Sequence, residues 1–267
     1  MANKQTVLIT GATSGIGLQI ATKLHDNGYS VFGTSRNPAK YADKVPFPLL
    51  ALDVTSTESI NDCVKLLLTK TPVLDVLINN AGVFLSGSIE ETTIEQAYKH
   101  FETNFWGAVK ITRAFLPVMR GQRSGKIITT GSLVGLIGIP FSSYYSASKH
   151  ALEGFFKSLR FEVKKFNIQV SVVEPAFFKT NIDAASEHAV ESIKDYDDIR
   201  KLANDFAEKS IAAAPEPKPV ADIVLKIIQD KNPKFSYPVG KNSKLLPVLQ
   251  LLAPGSYEKG FLKKLKF

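Results

Sequence analysis

Tyr145 and Lys149 stand four residues apart in the run SSYYSASKHALEGF (142–155). On a helix that spacing puts both side chains on one face, about one turn apart. Tyr144 is five residues from the lysine, roughly 500° of rotation away, and faces elsewhere. A free phenol has a pKa near 10, and a neighbouring ammonium lowers it, so the 145/149 pair reads as an acid and base for a substrate oxygen. Alone, such a pair is an ordinary feature of helix surfaces; Ser132 changes the balance. It closes the apolar run GKIITTGS (125–132), where its hydroxyl can hold a carbonyl oxygen while Tyr145 protonates it. Asn104, in TNFWG, lies inside a helical pattern that asparagine mildly disfavours, and is expected to hold a water behind Lys149.

A second polar feature sits far upstream. TGATSGIG (10–17) follows an apolar run and opens a helical pattern, with Gly11, Gly15 and Gly17 in a G-x-x-x-G-x-G spacing. Glycines there let the backbone turn tightly and approach a pyrophosphate held at a helix N-terminus. The spacing differs from the common G-x-G-x-x-G fingerprint, so the turn is a weak signal until its place in the first βαβ unit is considered. About 20 residues on, NAD-binding proteins of this architecture carry an acid for the ribose 2′-hydroxyl; this chain has Thr34, Ser35 and Arg36. A guanidinium pairs with a 2′-phosphate that an acid would repel, so NADP(H) is preferred over NAD(H). Asp53 and Val54, and Asn80 and Gly82 of NNAG (79–82), end later apolar runs and are expected around the same cofactor.

The elements that must position these residues are short apolar runs separated by helical patterns. TVLIT (6–10), SVFGTS (30–35), PLLALDV (48–54), DVLINN (75–80), GKIITTGS (125–132) and IQVSVVEP (168–175) read as strands. Helices are expected over 15–28, near 57–70, over 94–116 and over 146–166. This alternation predicts an α/β protein, a doubly wound parallel sheet in three layers with helices on both faces, and the unalternating hydrophobicity of the strands agrees. The chain reads as one domain over 1–267. A polar excursion at about 181–219 is long enough to serve as a lid, and a basic, apolar extension runs from about 233.

Lysine and arginine outnumber aspartate and glutamate 33 to 25, for a net charge of +8, which favours anionic partners. Cys63 is the sole cysteine, so no internal disulfide forms and a reducing, cytoplasmic setting is the expectation. TVLIT follows the N-terminus too closely to leave room for a secretory signal. LLPVLQLLAP (245–254) is about half the roughly 20 residues of a membrane span. His25, His100, His150 and His188 are scattered and suggest no metal site, and no motif for nucleic acid accompanies the charge.

With these motifs in unbroken order from about residue 5 to 181, the chain resembles the short-chain dehydrogenase/reductase family. TGATSGIG, NNAG, Asn104, Ser132, YSASK and PAFFKT (175–180) match its motifs, with Ala176 where glycine is usual. The resemblance implies a Rossmann fold and a catalytic tetrad of Asn104, Ser132, Tyr145 and Lys149, the lysine also binding the nicotinamide ribose. It further implies cofactor contacts from Thr13, Ser14, Ile16, Ala81, Pro175, Phe178 and Thr180, and a homodimer or homotetramer. The stretch from 125 to 163 is most similar to the branch of 17β-hydroxysteroid and retinol dehydrogenases. A small hydrophobic carbonyl or alcohol is therefore the expected substrate, lined by Val134, Phe141 and Phe177 beside Ser132 and Tyr145. A 3-oxoacyl reductase acting on an acyl carrier protein is the alternative enzyme, and an NADP(H)-sensing regulator without turnover the alternative of another class. The tail from 244, where lysines interrupt leucines, is either packed over the substrate side or an oligomer neighbour, or laid against an anionic membrane.

Overall fold

The computed structural model describes residues 4–179 and 186–264. Seven parallel strands form the main sheet: β1 (Thr6–Ile9), β2 (Ser30–Ser35), β3 (Leu49–Ala51), β4 (Val76–Asn79), β6 (Gly125–Thr130), β7 (Ile168–Pro175) and β9 (Ser236–Val239). Two short strands, β5 (Leu85–Ser86) and β8 (Glu187–His188), pair apart from it. The main order is β3-β2-β1-β4-β6-β7-β9, so the winding reverses between β1 and β4. A crevice opens there at the carboxyl ends of the strands, the place where open α/β sheets bind ligands.

Side chains alternate across the sheet into two cores. Leu8, Leu77, Ile127 and Val172 point to one face, where α2 (Thr57–Lys70), α4 (Gly107–Gln122) and α5 (Ser143–Glu162) bury Leu67, Phe115 and Phe156. Val7, Ile9, Val76 and Ile128 point to the other, covered by Ile20 and Leu24 of α1 (Gly15–Asp26) and Val224 and Ile228 of α7 (Lys218–Gln229). Burial on both faces is why these strands read as continuous apolar runs.

Three sequence expectations change. The single helix expected over 94–116 is α3 (Ile94–Phe101) and α4 joined by a π-helical turn, Glu102–Trp106; such turns are rare and recur at functional sites. The extension expected from 233 starts later, because 236–239 adds the seventh strand. Its sequence, SYPV, carries Pro238, which an edge strand tolerates because one side of its ladder is unpaired. The segment expected as a lid divides: α6 (Asp197–Ala212) stands outside the sheet layers, while α7 begins at Lys218 and packs on α1. Helix α6 is tied down at Glu91. That fully buried carboxylate meets Arg200 of α6 at 3.1 Å and accepts from the Ile193 amide at 2.9 Å and the Ser88 hydroxyl at 2.9 Å. Burial alone would raise its pKa, but these partners outweigh it and hold the carboxyl low.

Beyond β9, α8 (Leu245–Leu252) and α9 (Pro254–Lys264) pack against one another. Among the described residues, no helix is long and apolar enough to cross a membrane.

Candidate active site

A cleft of about 1340 Å³ runs along the carboxyl ends of the strands. Its polar end is built by the turn between β1 and α1. Gly11 and Gly15 have φ of +66° and +52°, a left-handed region that side chains with a Cβ disfavour. Gly17 serves close approach: a Cβ there would lie 2.2 Å from the Gly11 carbonyl oxygen and 2.4 Å from Asn80 Nδ2. Asn80 holds the turn by donating to the carbonyls of Thr10 and Gly11, each at 3.1 Å. Ser14, the N-cap of α1, makes no side-chain cap bond, so the first amides of the helix are not satisfied by a cap. Arg36 lies beyond the end of β2 on the same cleft, with Lys40 and Tyr41 nearby. Asp53 accepts from the Thr55 hydroxyl at 2.7 Å and amide at 2.9 Å. That hydroxyl bond first, and the Arg36 charge as a smaller cause, hold the Asp53 carboxyl below its usual value against the effect of burial. A cradle open to backbone amides, with a guanidinium at the β2 end, fits a dinucleotide carrying a 2′-phosphate.

At the middle of the cleft, the first turns of α5 bring Tyr145 and Lys149 beside the end of β6. Lys149 Nζ donates to the Thr130 carbonyl at 3.0 Å and lies 5.8 Å from the Tyr145 ring centroid. Ser132 caps the short turn after β6, accepting from the Val134 amide at 3.3 Å, and shares the cleft wall with the Tyr145 phenol. Tyr144 does not line the cleft.

The electrostatics differ from the sequence expectation. Tyr145 is packed densely enough that loss of solvation pushes its pKa up, with the Ser132 hydroxyl pulling the other way. Burial acts on the lysine as well and brings it down to about 8, opposed by the charge of Glu153.

Asn104 sits in the π-helical turn and is buried behind the cleft wall rather than on it. Its Oδ1 accepts from the Val83 amide at 2.8 Å and its Nδ2 donates to the Val83 carbonyl at 2.8 Å and reaches His100 Nε2 at 3.0 Å. Its side chain thereby clamps the chain after β4.

Gly11, Thr13, Ser14, Gly15, Ile16, Gly17, Arg36, Asp53, Val54, Asn80, Ala81, Gly82, Pro175 and Phe178 share the cleft with Ser132, Tyr145 and Lys149. Thr180 lies outside the described residues. Val134, Phe141 and Phe177 line the other end with Ile139, Phe206, Ile211 and Phe261. Phe177 is 39% exposed there, whereas Phe178 is 5% exposed and packs into the α1/α7 core. Phe141 holds φ of +57°, an unusual conformation for a bulky residue and one found where a site constrains its backbone.

A family model described as short chain dehydrogenase matches residues 5–191. The chain belongs to that family. A 3-ketodihydrosphingosine reductase of Bacteroides thetaiotaomicron is 37% identical over 250 residues, 93% of this chain and 90% of its own length. Retinol dehydrogenase 8 of Bos taurus is 34% identical over 269 residues, 93% of this chain and 85% of its own. Among solved structures, ElxO with NADP bound aligns with a TM-score of 0.75 at 29% identity, over 88% of this chain and 96% of that one. This short-chain dehydrogenase is thus an oxidoreductase of carbonyls and alcohols, in the branch that resembles retinol dehydrogenases.

Three residues beside the site escaped the sequence reading. His100 packs against Tyr145 at 5.9 Å between ring centroids and reaches the Ser148 hydroxyl at 3.3 Å; burial and then the Lys149 charge bring it down to about 4, so it is neutral. Glu153 and Glu174 are buried carboxyls behind Lys149, raised to about 8 and about 7, first by burial. His100 lies four residues before Asn104 and Glu153 four after Lys149, so extending the helical spacing one turn outward from each would have found both.

Proposed function

We propose that this short-chain dehydrogenase uses NADP(H) to interconvert a bulky apolar ketone or aldehyde and its alcohol, with Tyr145 exchanging the proton on oxygen. The observation that carries the reading is the meeting of Ser132, Tyr145 and Lys149 on one cleft, between its glycine-rich end and its aromatic and aliphatic end. When bound, the nicotinamide ring supplies or takes up the hydride. The turn at 11–17, with Asn80–Gly82, would hold the pyrophosphate side, Arg36 the 2′-phosphate, and Lys149 the ribose. Ser132 orients the substrate oxygen and Tyr145 gives it a proton in reduction, accepting one in oxidation. Lys149 keeps a positive charge near the phenol as that proton leaves. Asn104, through Val83, fixes the wall opposite.

Arg36 in place of an acid supports NADP(H), as does the NADP held by ElxO. The apolar end supports a bulky substrate, and the names of the two relatives, a retinol dehydrogenase and a ketosphingosine reductase, point to long apolar alcohols and ketones. The whole chain is read as one working unit with α6 as its lid. Exposed Trp106 of the π-helical turn and exposed Phe161 of α5 support assembly with further copies.

The decisive experiment follows NADPH and NADH oxidation against steroid, retinoid and long-chain ketones, small aldehydes and acyl carrier protein thioesters. Turnover restricted to the acyl thioesters would replace this reading with the carrier-protein reductase, and tight NADPH binding without turnover would favour a sensor.

A further inference from the structure

The helix α8 shows aliphatic side chains where a globular protein usually shows polar ones. Leu245, Val248, Leu251 and Leu252 are 61%, 51%, 79% and 76% exposed. At 100° per residue they share one arc of roughly 120°. The opposite side holds Gln250, whose Oε1 accepts from the Gly138 amide at 3.2 Å. A surface helix ordinarily shows a polar outer side; here Leu246 and Leu249 are half-buried, the one polar residue, Gln250, makes its contact inward, and the outward arc is wholly aliphatic.

The next helix connects this face to the cleft. Tyr257 of α9 donates to the Gly138 carbonyl at 2.6 Å, and Phe261, one turn on, lines the cleft beside Phe206 at 6.3 Å. Lys264 lies over both of those rings, at 5.4 Å from Phe206 and 5.7 Å from Phe261. Helix α9 therefore forms part of the rim at the apolar end, with α8 packed against it and Leu262 also exposed. Around them Lys241, Lys244, Lys259, Lys263 and Lys264 are exposed, and Glu258 is the sole acid between 240 and 264.

Leucines ringed by lysines suit a surface that is apolar within and anionic at its boundary. A second copy meeting this face symmetrically would set lysines against lysines, which disfavours a self-association surface. We propose that α8 and α9 form a docking platform for an anionic lipid bilayer, bringing the apolar end of the cleft against the membrane. The binding itself is independent of the substrate assigned above; only its use in collecting an apolar substrate rests on that reading.

Co-sedimentation of the full chain with phosphatidylcholine vesicles, with and without phosphatidylserine, tests the platform. The expected result is pelleting with the anionic vesicles and release at high salt. The double variant L251E/L252E should fall to the level seen with phosphatidylcholine alone, while keeping the wild-type melting temperature and NADPH affinity. K259E/K263E should weaken pelleting in the same direction. Wild-type protein that stays in the supernatant, or pelleting unchanged in L251E/L252E, overturns the proposal. So does a lower oligomeric mass of L251E/L252E, by analytical ultracentrifugation, in a protein whose wild type ignores the vesicles: that result assigns the face to a second copy. No step of this assay requires turnover, so failure of the apolar-carbonyl reading leaves its outcome intact.

Discussion

In the proposed reaction Tyr145 parts with a proton while Lys149 stays charged beside it, and burial works against both. The phenol is pushed up and the ammonium brought down to about 8. The protonated phenol thus suits the reductive direction at neutral pH, where a donor is needed. Tyr145→Phe is expected to lower the rate of carbonyl reduction by about 10²–10⁴-fold, the usual contribution of a positioned acid. NADPH affinity by fluorescence titration should remain, and Tyr144→Phe should leave turnover intact; equal losses in the two variants would overturn the assignment. The carboxyls behind the lysine carry a prediction of their own. Glu153 is raised to about 8 and Glu174 to about 7 from an ordinary 4.5, so the folded protein retains protons that the unfolded chain has already released. Stability from these groups is full below about pH 4.5 and is lost as pH rises through the folded values. His100, lowered to about 4, acts oppositely, but only below about pH 6.5. From pH 6.5 to 8 the melting temperature should therefore fall, and Glu153→Gln should flatten that slope in differential scanning fluorimetry; an identical slope in the variant would remove Glu153 as its source.

At the scale of elements, the turn from β1 into α1 tolerates least. A Cβ at Gly17 would overlap the Gly11 carbonyl oxygen and Asn80 Nδ2, so Gly17→Ala should cost about 1–3 kcal/mol of stability, as overpacking does, and weaken NADPH binding. Chemical denaturation and cofactor titration measure the two effects separately. At the end of β2, Arg36→Asp should lower the kcat/KM ratio of NADPH to NADH by about 10–100-fold, the worth of one charged hydrogen bond. An unchanged ratio would remove Arg36 as the group that tells the two cofactors apart and turn attention to Lys40, another cation on the cleft. Much of this scaffold was legible in the chain, because strands buried on both faces announce themselves as unbroken apolar runs and glycines mark the tight turn. What was hidden lacked such a signal. β9 is four residues long and contains a proline. The π-helical turn at 102–106 keeps a helical composition and differs only in its hydrogen bonding. Asn104 was visible as an odd residue in a helix, but its two bonds to Val83 depend on a backbone 21 residues away. The direction of the Tyr145 shift was misread because spacing reports a neighbour's charge and says nothing of how deeply both groups are buried.

For the whole molecule, the net charge of +8 is a general attraction to anions, and the arrangement of α8 and α9 gives part of it a location. Helix α6 is held by Arg200 on Glu91, and its Phe206 meets Phe261 of α9, whose Tyr257 is bonded to Gly138. An apolar cleft end beside a helix that turns leucines outward has a kinetic consequence. If a substrate is gathered from within a lipid layer, its effective concentration is a mole fraction in two dimensions, and added lipid acts as a diluent. At fixed amounts of enzyme and membrane-dissolved ketone, adding more phosphatidylserine-containing vesicle should slow reduction, while the rate with a water-soluble aldehyde stays level. A rate indifferent to lipid in both cases would mean that the substrate arrives through water, and the outward leucines would then have no part in its capture.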